Sequence, residues 1–161
     1  MNISLAGRTA LICGSTQGIG LAIANEFAVA GAHCILVARN EDKLKEVVEK
    51  LKEISDHLHG YHVADFSRPE QVKTVISEIV ASYAIQILVN NTGGPPPGPI
   101  TDADEVAFIQ AFNQHLVNNH ILTKAVLPAM KAAHYGRIIN IISTSVYQKQ
   151  NVNTAYIQIN T

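Results

Sequence analysis

The feature that most constrains this chain is one turn. Cys13-Gly14-Ser15-Thr16-Gln17-Gly18-Ile19-Gly20 joins a short apolar run, Thr9 to Ile12, to a helical pattern that begins Leu21-Ala22-Ile23-Ala24. Strand, glycine-rich turn and helix in that order put unpaired N–H groups and the positive end of the helix dipole where an anion can sit. Each glycine has a distinct task in such a layout: a tight turn at Gly14, close approach of a ligand at Gly18, close helix–strand packing at Gly20. On its own the turn fits a plain loop as well as a phosphate site. The rest of the chain decides between them.

After that turn, strand and helix patterns alternate. A helix over about Ile19 to Ala30 ends at Gly31, a natural residue to follow a helix terminus. His33 to Ala38 reads as a buried strand, and Glu41 to Ile54 as an amphipathic helix with Leu44, Val47, Val48, Leu51 and Ile54 on its apolar face. Gly60 to Ala64 forms a third strand. The next helix is expected to start with Ser67 as N-cap and Glu70 completing a capping box. A fourth strand, Ile85 to Val89, runs into the loop Asn90 to Pro99. One long helix over roughly Asp102 to Ala133 then leads to a fifth strand, Arg137 to Ile142. This alternation predicts a doubly wound α/β fold: a parallel sheet of Rossmann type between two helical layers, with right-handed crossovers.

Composition narrows the function classes. At 161 residues the chain is read as a single domain with room for a real core. Its net charge of −1 gives no reason to expect nucleic acid or an acidic membrane surface as partner. No apolar run reaches membrane-spanning length and no charged-then-apolar leader opens the chain. Cys13 and Cys34 fall in adjacent strands as small buried residues, which suits a reducing cytoplasm better than a disulfide scaffold. His57, His59 and His62 are close in sequence, but a helix-to-strand passage is expected to scatter their rings and hold no metal.

Ligands of such sheets sit outside the carboxyl ends of the strands. The polar residues that punctuate the strand ends therefore converge on one rim. An NAD site wants a carboxylate after the second strand; Ala38-Arg39-Asn40 has none. Arg39 can instead grip a 2′-phosphate, favouring NADP(H), or be a solvated strand-end arginine. Asp65-Phe66 follows the third strand. Asp65 can accept from an adenine amino group, or form an Asx turn ahead of the helix. Asn90 and Asn91 can tie neighbouring backbone together, with Thr92 and with Gly93 letting a cofactor ring lie close.

These motifs in this order, with Arg137-Ile138-Ile139-Asn140-Ile141-Ile142-Ser143 after them, resemble the short-chain dehydrogenase/reductase family. Within it the chain is similar to 3-oxoacyl-acyl-carrier-protein reductase-like members. The resemblance implies hydride transfer between NADP(H) and a carbonyl or secondary alcohol, a small-molecule or acyl-thioester substrate, and a homodimer or homotetramer. It places Ser143 on the substrate oxygen and Tyr156, thirteen residues on, as proton donor. Two positions depart from the family. Asn160 stands where a lysine one turn after the tyrosine lowers its pKa and holds the nicotinamide ribose. His115 stands where a helix asparagine anchors a proton-relay water; a packed or surface histidine is the alternative, and Asn118 or Asn119 takes that place only if the register differs. A family member continues past Thr161 with two more strands and a substrate-covering segment, so the chain is expected to be C-terminally incomplete. A catalytically silent nucleotide-binding or oligomer-forming protein on the same scaffold is the competing reading.

Overall fold

The computed structural model describes residues 3–94 and 104–142. Its strands are β1 (Thr9–Cys13), β2 (His33–Ala38), β3 (Gly60–Val63), β4 (Ile87–Asn90) and β5 (Arg137–Asn140). All pair in parallel, in the order β3-β2-β1-β4-β5. The helices are α1 (Gly18–Val29), α2 (Glu41–Ile54), α3 (Pro69–Ser82), α4 (Glu105–Phe112) and α5 (Asn118–Ala132). Among the described residues no helix is long and apolar enough to cross a membrane.

The central strands read as unbroken apolar runs because both faces are covered. Ala10 and Ile12 of β1 and Leu36 of β2 face α1 and α2, packing on Ala24, Ala28, Leu44 and Leu51. Leu11 of β1, Ile35 and Val37 of β2 and Leu88 of β4 face the other way, onto Val72, Ile76 and Ile79 of α3 and Leu122, Val126 and Met130 of α5. The result is the three-layer, doubly wound α/β arrangement of Rossmann type. Both cysteines are buried and unpaired, and burial pushes each thiol up to about 12, so neither is a nucleophile.

Three local expectations are corrected. Ser67 does not cap α3: the N-cap is Arg68, without a side-chain bond, and Pro69 supplies the first helical residue. Ser67 instead donates its N–H to Asp65 Oδ1 at 2.9 Å, so the Asx turn displaces the cap by one residue. The long helix before β5 is interrupted. Between α4 and α5 lies a π-turn, Asn113–Val117, an insertion that leaves the helical periodicity on either side intact. The histidine expectation is corrected in part. His57 and His59 stand 6.4 Å apart, whereas His62 lies apart from them against Tyr83. His33, from β2, joins His59 at 6.4 Å and stands edge-on to Tyr83 at 5.5 Å.

The two Schellman closures of the fold differ in one residue. α1 ends at Gly31, φ +87°, with Gly31 N–H on Ala28 O and Ala32 N–H on Phe27 O, each 2.9 Å. α5 ends with the same pair of bonds, His134 N–H to Lys131 O and Tyr135 N–H to Met130 O, each 3.1 Å, but with His134 at φ +47°. A side chain there costs about 1–2 kcal/mol, partly offset because glycine loses more entropy on folding. His134→Gly is therefore expected to stabilise the protein by about 0.5–1 kcal/mol. A urea midpoint that stays put or falls would contradict this.

Candidate functional site

The strand order reverses at β1 and β4, and a cleft of about 460 Å³ opens there at the carboxyl ends of the strands. Its size falls in the range of small-molecule sites, roughly 300–1,000 Å³. Gly14, Thr16, Gln17, Gly18 and Ile19 line one wall; Ala38, Arg39 and the Ala64–Phe66 segment form the far end. Asn91 to Gly94 and Gln114 close the side next to β4.

The turn after β1 is held by one side chain. Asn91 Nδ2 donates to Cys13 O at 3.2 Å and Gly14 O at 3.3 Å, as its position after β4 predicts. A Cβ at Gly20 would collide with Gly14 O and stand 2.7 Å from that same Nδ2, so α1 can approach β1 only without one. At Gly18, φ +55°, a Cβ would meet nothing: this glycine faces open cleft. The α1 N-terminus is otherwise bare. Its N-cap, Gln17, makes no side-chain cap and its first turn carries no acidic residue, whereas Asn40 caps α2 and Asp104 caps α4. The first intrahelical bond is Leu21 N–H to Gln17 O, leaving the N–H groups before it for an anion.

At the far end Arg39 is exposed and makes no ion pair among the described residues. Asp65 spends Oδ1 on the Ser67 N–H, as the Asx reading requires. Hydrogen bonds from Ser67 hold its carboxyl below the usual range, with smaller help from the charges of Arg68 and Arg39. Phe66 turns its ring into the core at 8% exposure. On the β4 side, Thr92 Oγ1 and His115 Nδ1 lie 2.8 Å apart, and burial lowers the His115 pKa, keeping the ring neutral at physiological pH. A neutral imidazole donates at one nitrogen and accepts at the other.

The short chain dehydrogenase family model matches residues 8–157. The chain belongs to the short-chain dehydrogenase family. L-Sorbose reductase from Gluconobacter frateurii, solved with NADPH and L-sorbose, superposes on this chain with a TM-score of 0.92 and 32% identity. The match covers 99% of this chain and 61% of that one. A 3-oxoacyl (acyl-carrier-protein) reductase from Agrobacterium tumefaciens C58, with NADP bound, gives 0.89 at 28% identity over 97% and 60% of the two chains. Inactive hydroxysteroid dehydrogenase-like protein 1 from Pongo abelii is 36% identical over 141 residues, 86% of this chain and 43% of its own length. The chain spans about half the length of the curated relatives it matches.

The fold thus brings Gly14, Thr16 to Ile19, Arg39, Asp65, Phe66 and Asn91 to Gly93 to one cleft of the short-chain dehydrogenase scaffold. Two expected residues lie beneath it rather than on it. Ser15 is fully buried, its Oγ without a partner among the described residues, and Gly20 packs under the turn. Ser143, Tyr156 and Asn160 lie outside the described residues. Gln114 was not foreseen. It lines the cleft and donates Nε2 to Gly93 O at 2.7 Å. Its only sequence signal is a polar residue one place before His115, which helical periodicity alone does not single out.

Proposed function

We propose that the chain is an NADP(H)-dependent oxidoreductase that reduces a carbonyl, a 3-oxoacyl thioester or similar ketone, to a secondary alcohol. The observation that carries this reading is the uncapped α1 N-terminus facing the same cleft as Arg39, which makes no ion pair among the described residues, with no carboxylate at the end of β2. One position suits a diphosphate; the other suits a 2′-phosphate and leaves nothing to hold a ribose 2′-OH. Gly18 keeps the backbone open to the ligand, so the residues present fit the group.

NADPH, when bound, supplies the hydride. The N–H groups of Gly18 and Ile19 would hold its diphosphate, Arg39 its 2′-phosphate, and the second Asp65 oxygen its adenine amino group. Asn91, Thr92 and Gly93 flank the inner half, where Gly93 leaves open space. Ser143 holds the substrate oxygen and Tyr156 gives it a proton, with neutral His115 holding the relay water in place of the family asparagine. Asn160 can hydrogen-bond a ribose hydroxyl but supplies no cation to lower the tyrosine pKa.

Arg39→Ala is expected to weaken NADPH about tenfold or more while leaving NADH within a factor of two, since one charge-assisted contact is lost to one ligand only. Equal losses for both in a fluorescence titration would remove Arg39 from the 2′-phosphate role. Activity is tested by NADPH absorbance with an acetoacetyl thioester, in the native protein and in Asn160→Lys. Turnover in either supports the enzyme. Saturable binding without turnover in both supports the competing reading, a catalytically silent nucleotide-binding protein, which Asn160 itself favours.

We also propose that copies of the chain pair through α4. Val106, Ile109, Phe112 and Leu116 are 40–60% exposed, a run of large apolar side chains that water disfavours. A monomer at micromolar concentration in sedimentation equilibrium would contradict this.

A further inference from the structure

The π-turn borders the cleft on the side next to β4, and two of its side chains and that of the next residue reach different segments around it. Gln114 holds Gly93 O, His115 meets Thr92 Oγ1, and Asn118 Nδ2 donates to Phe66 O at 2.6 Å, across from the end of β3. Asn118 is the one among them that is fully buried. Its backbone N–H skips Gln114 O and reaches five residues back to Asn113 O, as a π-turn requires. Its side chain makes good the omission: Nδ2 also donates to Gln114 O at 3.2 Å. With a carbonyl at each of these contacts, the nitrogen of the carboxamide is the atom that must face them.

Burying an amide at this helix position is expensive, and Asn118 Oδ1 has no partner among the described residues. A leucine would fill the layer between α5 and α3 at lower cost. What the amide supplies and a leucine cannot is a fixed direction for the Phe66 carbonyl. The Phe66 ring already anchors the loop in the core, so Asn118 is not needed to keep the loop attached.

We infer that Asn118 is a positioning residue of the cofactor site, locking the Asp65–Phe66 segment at the adenosine end to the π-turn that carries Gln114 and His115 at the inner end. The inference rests on the NADP(H) reading for its ligand, not for its geometry. Asn118 acts through the loop and the π-turn and touches neither cofactor nor substrate.

The test uses the full chain with Asn118→Leu and with the smaller Asn118→Ser, in two arms. In the first, amide hydrogen exchange without ligand is expected to quicken about tenfold or more at Ser67 and Arg68, the loss of one buried hydrogen bond, and to stay unchanged in β1 and β2. In the second, the dissociation constant of 2′,5′-ADP, the adenosine half of the cofactor, is expected to rise about tenfold. A purely structural role would lower the melting temperature and speed exchange across the sheet without singling out this loop. Exchange at Ser67 and Arg68 within twofold of the native protein, or loss of the fold in both variants, would overturn the inference. A native protein that fails to bind NADPH and 2′,5′-ADP would remove the cofactor reading alone, and the exchange arm would still decide the positioning role.

Discussion

Gly20→Ala is expected to destabilise the protein by about 3 kcal/mol and to weaken NADPH at least a hundredfold, the upper end of what an added methyl group costs in a packed interior. The new Cβ would strike the Gly14 carbonyl, which is backbone and cannot rotate away, and would press on Asn91 Nδ2. That nitrogen holds both Cys13 O and Gly14 O, so displacing it loosens the turn from below. Gly18→Ala makes the informative contrast. Nothing lies within 4 Å of a Cβ there, and the only folding cost is a positive φ, about 1 kcal/mol. Its methyl group would nonetheless stand in the cleft where the diphosphate is proposed to lie. Gly18→Ala should thus keep most of its stability and lose its ligand, while Gly20→Ala loses both. Equal urea midpoints for the two variants would contradict the separate tasks assigned to these glycines.

Acid is expected to weaken the fold through His59. This ring is 6% exposed, accepts the Cys34 N–H at Nδ1 (3.1 Å) and so must carry its proton at Nε2, which donates to Ser55 Oγ at 2.9 Å. It cannot take a second proton without giving up the bond to Cys34. Burial first, then the neighbouring His33 and His57 and the charge of Lys52, pull its pKa from 6.5 down to about 4. The folded state thus prefers the neutral ring more than the unfolded chain does. Its contribution to stability is fully present above pH 6.5 and is lost as pH falls towards 4, at up to about 1.4 kcal/mol per pH unit. Burial lowers the His33 and His62 pKa values in the same direction, adding to the loss. His59→Gln retains an acceptor for Cys34 but cannot titrate. Urea unfolding at pH 7 and pH 4.5 should show a drop of roughly 2–3 kcal/mol in the native protein and a clearly smaller one in the variant. The same drop in both would assign the acid sensitivity to other groups.

Why some of this was legible in the sequence, and some not, follows from the range of the interactions. β1, β2 and α2 announce themselves because burial on two faces, or on one stripe, writes a local pattern. The tasks of Gly14, Gly18 and Gly20 were readable from their spacing, and the ties made by Asn91 from its place at a strand end. The π-turn was not, because no residue type in Asn113–Val117 marks where an extra residue enters an otherwise continuous helical segment. Ser67 gave way to Arg68 as the cap because two local bonding schemes compete there, and the Asx turn at Asp65 wins. The histidine contacts were hidden because His33 enters from β2 while His57 and His59 come from the connection before β3. Asn118 was visible in the sequence only as a substitute for His115 in a shifted register; that it reaches Phe66, fifty-two residues away, is a fact of the fold.

The central claim is that the cleft at the β1–β4 switch point is an NADP(H) site set by the bare α1 N-terminus and Arg39. Titration of the native protein with NADPH and NADH, followed by cofactor fluorescence, tests it most directly. The account predicts saturable binding of NADPH at least about tenfold tighter than NADH, a preference that narrows as salt screens the exposed Arg39. No saturable binding of either nucleotide, or equal affinity for the two, would contradict it.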